Sequence, residues 1–269
     1  MKIAVISSYA YIVSYVNYGA LLQYYALQEY LKKRGHDPYW IRYEIPKTPK
    51  QKLKQIAKYI LRYHTERRKK NLLSSFQKFA QKYLSLSDQI YYGETSLHVT
   101  PPTADCYITG SDQVWAGKLQ ANFLTFVPQG KPRIAYAVSF GKDSLPPEHT
   151  ETIRPWVHVF DAISVREQTG VAICETLGWQ NVPHVPDPTL LINKEEYPCA
   201  RIKQHNYIFC YFINLEIGNS IDFNAITTFA RHTNKSLYIS AASGSERFIP
   251  KQNLIDPTPE EWLAYYRDS

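Results

Sequence analysis

Two short runs carry side chains able to do chemistry together. Gly110-Ser111-Asp112-Gln113-Val114-Trp115 sets a carboxylate, an amide and an indole on one loop. Such a trio can accept a hydroxyl proton, hold a second hydroxyl and stack on a ring. Equally, Asp112 can cap the next turn with Trp115 packed beneath it. Asn17-Tyr18-Gly19-Ala20-Leu21-Leu22-Gln23 stands where an apolar run hands over to a helix-like pattern. A glycine at that point lets a ligand approach the helix N-terminus, whose backbone amides attract anions. A glycine there also serves tight packing alone, so Gly19 by itself does not decide between the two.

Elements on either side must position these loops. Lys2 to Ser7 reads as a buried strand and Gly19 to Arg34 as a helix, with Leu21, Leu22, Tyr25, Leu27 and Leu31 at roughly helical spacing and Gly35 just past its end. Tyr39 to Tyr43 then completes a strand, helix, strand unit, the opening of a parallel doubly wound sheet. The alternation continues with strands at 106–109, 133–138, 162–165 and 182–185, and helices at about 147–160 and 167–177. GSDQVW thus follows a strand at its carboxyl end, the edge where open α/β sheets bind ligands.

The pattern loosens between Asp187 and Asn206, the expected linker, and a second alternating unit begins. Its strands are 207–213, 236–240 and 253–255, with a helix at 221–232. Thr258, Pro259 and Glu261 occupy N-cap, first and third helical positions, the signature of a capped helix start. A three-stranded parallel sheet with one unfinished crossover leaves apolar faces uncovered, so the second domain is expected to be incomplete at residue 269. The expected domains are residues 1–195, with a basic helical insertion at about 46–90, and a partial domain at 206–269.

Composition narrows the function classes. With 44% apolar residues the 269-residue chain can bury a core, and no run approaches the length of a membrane span. A cytoplasmic protein is expected. The four cysteines are too widely spaced for a zinc site or a disulfide scaffold, and no metal cluster is visible. The net charge of +7 is concentrated: Lys47 to Lys70 holds ten Lys/Arg against the single acid Glu66. Leu53, Ile56, Ala57, Ile60 and Leu61, then Leu72, Phe76, Phe79, Ala80 and Tyr83, form two apolar helical stripes, with Ile56 and Ile60 expected to face inward. The opposing lysines read as a solvated surface, or else as a peripheral contact with an anionic membrane. Nucleic-acid binding is not expected, because no recognition motif accompanies the charge.

NYGALLQYYALQ (17–28), GSDQVW (110–115), SFGK (139–142), ISVRE (163–167) and PDPTLL (186–191), in this order, resemble the polysaccharide pyruvyl transferase family. The first two blocks are the specific ones. The resemblance implies two Rossmann-like doubly wound domains facing a cleft, as in GT-B-type glycosyltransferases. It implies phosphoenolpyruvate as donor and a surface saccharide, lipid-linked or not, as acceptor, with no cofactor. On this resemblance Arg166 is the foremost donor contact, since guanidinium grips oxyanions bidentately, with Lys142, Gly19 and Ser139 beside it; a salt bridge with Glu167 or a capping contact is the alternative role for Arg166. Asp112 is the expected base, and Asn17, Ser111, Gln113 and Trp115 the acceptor contacts. Gly19, Ser111, Asp112, Lys142 and Arg166 should line one cleft at the carboxyl ends of the first domain's strands. Two departures stand out: Ala116 replaces an asparagine that often follows the tryptophan, and the family's Ser-Phe-His-Gly block is not found within these residues. The rival readings are a nucleotide-sugar glycosyltransferase on a similar frame and a non-catalytic relative, and fold alone does not separate them.

Overall fold

The computed structural model describes residues 1–7, 17–46, 48–50, 53, 63–213, 215, 221–242 and 244–269, without the side chains of 63–66 and 69. Ile56 and Ile60 lie outside the described residues. The chain divides into two compact units: Met1–Tyr11, Leu22–Ala57 and Gln81–Asn193 form one, and Ile12–Leu21, Lys58–Ala80 and Lys194–Ser269 the other.

The first unit is a mixed α/β structure built on a six-stranded sheet, with strands β1 (Lys2–Ile6), β2 (Asp37–Glu44), β3 (Leu86–Tyr92), β4 (Cys106–Thr109), β5 (Arg133–Val138) and β6 (Ala162–Val165). All neighbours are parallel, in the order β3-β2-β1-β4-β5-β6. This is the strand order of Rossmann-type folds, and its direction reverses between β1 and β4. Ile3 to Ile6 and Cys106 to Thr109 are buried without interruption, as strands covered on both faces must be. Helices α1 (Tyr18–Lys33), α3 (Gly93–Val99), α4 (Pro147–Val157) and α5 (Gln168–Thr176) alternate with the strands, and α2 (Tyr63–Tyr83) precedes β3. The expected strand at 182–185 is reduced to a bridge between Val165 and His184. Strand β3 and helix α3 are elements the sequence reading did not single out.

The second unit contains the parallel pair β7 (Tyr207–Phe212) and β8 (Ser236–Ala241), with a bridge from Ile239 to Leu254. Its helices are α6 (Phe223–His232) and α7 (Pro259–Arg267), and the latter starts with the expected capping box between Thr258 and Glu261. Phe76 and Phe79 of α2 are fully buried, as their stripe requires. Tyr18 stacks on Trp262 at 5.1 Å and packs against Phe76 at 4.8 Å, while its hydroxyl donates to the Pro257 carbonyl at 2.6 Å. An aromatic residue with a polar tip suits this place because burial of the ring is favourable only if the hydroxyl finds an acceptor.

Candidate active site

The loop after β4 is held from both sides. The Gly110 amide donates to the Ile6 carbonyl at 3.0 Å, and Ser7 Oγ donates to the Ser111 carbonyl at 2.7 Å, so the loop is tied to β1 at the reversal of strand order. On the other side the Ser139 amide donates to the Asp112 carbonyl at 3.0 Å and Ser111 Oγ to the Ala137 carbonyl at 2.7 Å, which ties it to β5. Gly110 has φ +114°, and a Cβ there would run into the Tyr136 carbonyl oxygen. Only glycine fits both constraints.

Asp112 itself has φ +89°, a region that aspartate tolerates better than most residues. Its carboxylate lies 3.8 Å from Arg166 Nη2. Burial pushes the Asp112 carboxyl above its usual range; the Gln113 amide and the Arg166 charge pull it down, and Asp187 and Glu167 push it up again. A carboxylate with a raised pKa, one-fifth exposed, is suited to taking a proton from a bound hydroxyl near neutral pH.

Arg166 ends β6. Its backbone amide donates to the Val138 carbonyl at 3.1 Å, and its carbonyl accepts from His184 Nε2 at 2.9 Å, so the side chain leaves the sheet at a fixed point. Nε donates to Glu167 Oε1 at 3.1 Å and Nη1 to Asp187 Oδ2 at 3.0 Å. Burial opposes its charge, but the hydrogen bonds to Glu167 and Asp187 outweigh burial, and its pKa stands above the usual guanidinium value. Asp187 is tied down further: Gln23 Nε2 donates to Oδ2, and the amide and hydroxyl of Thr189 donate to Oδ1 at 3.0 and 2.8 Å. Asp187 and Gln23 escaped the sequence reading. The PDPTLL block offered a signal for Asp187, since an aspartate before Pro-Thr is a natural N-cap, and it does cap the short turn at Pro188–Leu190.

Several expected contacts are placed differently. Trp115 is fully buried: it stacks on Phe123 at 5.4 Å and an angle of 9°, packs edge-on against Phe140 and Phe160, and donates from Nε1 to the Asn122 carbonyl at 3.3 Å. No ring face is left for a saccharide, so Trp115 is a core residue under the loop. Ser111 and Ser139 are buried too; Ser111 spends its hydroxyl on Ala137, and Ser139 Oγ accepts from the Gly141 amide at 3.0 Å. Both shape the backbone from inside. Gln113 is exposed beside Gly141, and Lys142 follows on the same exposed turn; burial depresses the pKa of His149, with Lys118 and, less, Lys142 adding to it.

Ser111, Asp112, Gln113, Ser139, Lys142 and Arg166 thus share the carboxyl edge of one sheet. Asn17 and Gly19 group with the second unit, where Asn17 Oδ1 accepts from the Ala20 amide at 3.1 Å and caps α1. Among the described residues no group of His, Cys, Asp or Glu is placed to hold a metal ion. No helix among them is long and apolar enough to cross a membrane.

Comparison with curated proteins and with solved structures returned no match. A family model for polysaccharide pyruvyl transferase matches residues 17–269, which takes in the Asp112 loop, Arg166 and Asp187. With nearly the whole length matched, the chain belongs to the polysaccharide pyruvyl transferase family.

Proposed function

We propose that the cluster at the carboxyl edge uses phosphoenolpyruvate as donor and two neighbouring hydroxyls of a saccharide as acceptor, forming a pyruvyl ketal. The observation that carries this reading is Asp112: a carboxylate of raised pKa, beside Arg166, at the strand-order reversal of a chain in this family. Protonation of the donor methylene makes the central carbon electrophilic. One acceptor hydroxyl adds there and gives its proton to Asp112, and the bond from the central carbon to the enol oxygen breaks so that phosphate leaves with that oxygen. The second hydroxyl closes the ketal and gives its proton to the departing phosphate; the methylene proton comes from solvent, to which Asp112 returns the one it took. Arg166 holds a donor oxyanion, and Lys142 on the neighbouring turn adds positive charge toward it. This chemistry requires no resident cofactor.

The same reading takes the second unit as a second Rossmann-like domain of GT-B type. It places the acceptor at the cytoplasmic face of the membrane, on a saccharide or its lipid-linked precursor, with Lys47 to Lys70 as the approach to anionic lipid. The described part of that stretch supports it: Arg67 and Lys70 are exposed.

The test is thermal shift with phosphoenolpyruvate and, separately, with nucleotide sugars, followed by phosphate release in the presence of saccharide acceptors. Stabilisation by phosphoenolpyruvate, retained in Asp112→Asn while phosphate release is lost, is the expected result. Stabilisation by a nucleotide sugar alone would transfer the chain to the glycosyltransferase reading.

A further inference from the structure

The geometry points to Glu167 as a resident carboxylate standing in the donor's place on Arg166, with Asp187 as the positioning residue that keeps the arginine aimed. The inference rests on the donor reading above and deepens it. A guanidinium grips an oxyanion through one of two edges, Nε with one terminal nitrogen or the two terminal nitrogens together. In Arg166 the two edges share Nη2, and each has its other nitrogen bonded to one carboxylate. Nη1 is taken by Asp187 at 3.0 Å, whereas the edge made by Nε and Nη2 has Glu167 on Nε at 3.1 Å and only a long 3.8 Å approach of Asp112 to Nη2. Nη2, common to both edges, is the nitrogen beside the candidate base, so the edge that opens is set by which of the two carboxylates leaves.

The two carboxylates on Arg166 are held very differently. Asp187 accepts from four donors, Arg166 Nη1, the buried amide of Gln23 and both Thr189 groups, so moving it would break a network. Glu167 is more exposed, at 40% of its side chain against 23% for Asp187. It stands at the N-cap position of α5, yet its side chain makes no capping hydrogen bond. Among the described residues its hydrogen bond is to Arg166 Nε. Held by one bond from a side chain that is 40% exposed, Glu167 exchanges more readily than the four-times-bonded Asp187.

Electrostatics give the exchange a direction. An anionic donor approaching one cation among three carboxylates is repelled, and the departure of Glu167 both removes one negative charge and frees the edge. A carboxylate or phosphate oxygen pair then occupies Nε and Nη2 together, directly beside Asp112. Asp187 stays in place and prevents the guanidinium from following Glu167 outward. Arg166 therefore binds bidentately only after the swap, and Glu167 sets the threshold for occupancy.

The experiment is calorimetric titration of the whole chain with phosphoenolpyruvate and, in parallel, with inorganic phosphate, for wild type, Glu167→Gln, Asp187→Asn and Gln23→Ala. Glu167→Gln should tighten both ligands by roughly two- to fivefold, the size of one weak surface pair. Asp187→Asn should loosen both by about tenfold, and Gln23→Ala, which removes only the strut behind Asp187, in the same direction but less. Opposite signs at two carboxylates on one arginine are not produced by general destabilisation. Unchanged or weaker binding by Glu167→Gln overturns the inference and leaves the donor reading standing. Tightening for phosphate with no preference for phosphoenolpyruvate supports the edge assignment and sinks the donor reading. Absence of binding of either anion to wild type and Glu167→Gln overturns the inference.

Discussion

Ser7 Oγ donates a 2.7 Å hydrogen bond to the Ser111 carbonyl, joining the carboxyl end of β1 to the Asp112 loop after β4. Both residues are buried, at 4% and 2% exposure, so no water replaces the bond if it is lost. Ser7→Ala leaves a buried carbonyl without this donor and should cost about 1–3 kcal/mol of stability in urea unfolding. A loss below experimental error would mean that the loop is held by its β5 side alone.

Gly110 and Gly130 make a matched pair for backbone substitution. Both have positive φ, +114° and +79°, but an added Cβ meets the Tyr136 carbonyl at Gly110 and open space at Gly130. Gly130→Ala should cost about 1 kcal/mol, the conformational penalty alone. Gly110→Ala should cost at least about 3 kcal/mol or leave no folded protein, because the collision adds to that penalty. Equal midpoints in thermal unfolding would contradict the described course of the loop.

Trp115→Ala opens a cavity among Phe123, Phe140 and Phe160 and should destabilise the chain by about 3–5 kcal/mol. Trp115→Phe, which keeps much of the volume, should fold and retain saccharide affinity. If Trp115→Phe folded normally but lost saccharide binding selectively, the ring would have to be reachable after all.

Asp112 has a folded-state pKa raised by burial above its unfolded value. The folded chain then binds the proton more tightly than the unfolded chain, so this group's contribution to stability is greatest at low pH. It is lost as pH rises from the unfolded pKa through the folded one. Asp112→Asn removes that loss: its stability relative to wild type should climb with pH from about 4 upward. Stability curves for the two proteins that run parallel across this range would show an unperturbed carboxyl. On the role proposed for Asp112, the acid limb of turnover should sit above the ordinary carboxylate range, since a base works deprotonated.

The sequence by itself determined the alternation of elements, and with it the fold class of the first unit. Strands β1, β4, β5 and β6 are short apolar runs that only a sheet covered on both faces can bury, and their bounds were legible for that reason. The capping box at Thr258 and Glu261 was equally readable, because capping is satisfied within four consecutive residues. Strand β3 was not: its burial follows no clean alternation, and as an edge strand it needs a partner on one side only. The candidate site was legible in part. Asp112 and Arg166 stand in recognisable blocks, but whether Trp115 faces a ligand or the core depends on Phe123, Phe140 and Phe160, none of which its own loop contains. Gln23, Asp112, Arg166 and Asp187 are spread over four separate segments, a helix, two loops that follow β4 and β6 and a short turn, which meet only once the parallel order β3-β2-β1-β4-β5-β6 has formed. A hydrogen bond between residues 164 positions apart, such as Gln23 to Asp187, leaves no local pattern, because neither side chain's partner is chosen until the sheet has closed.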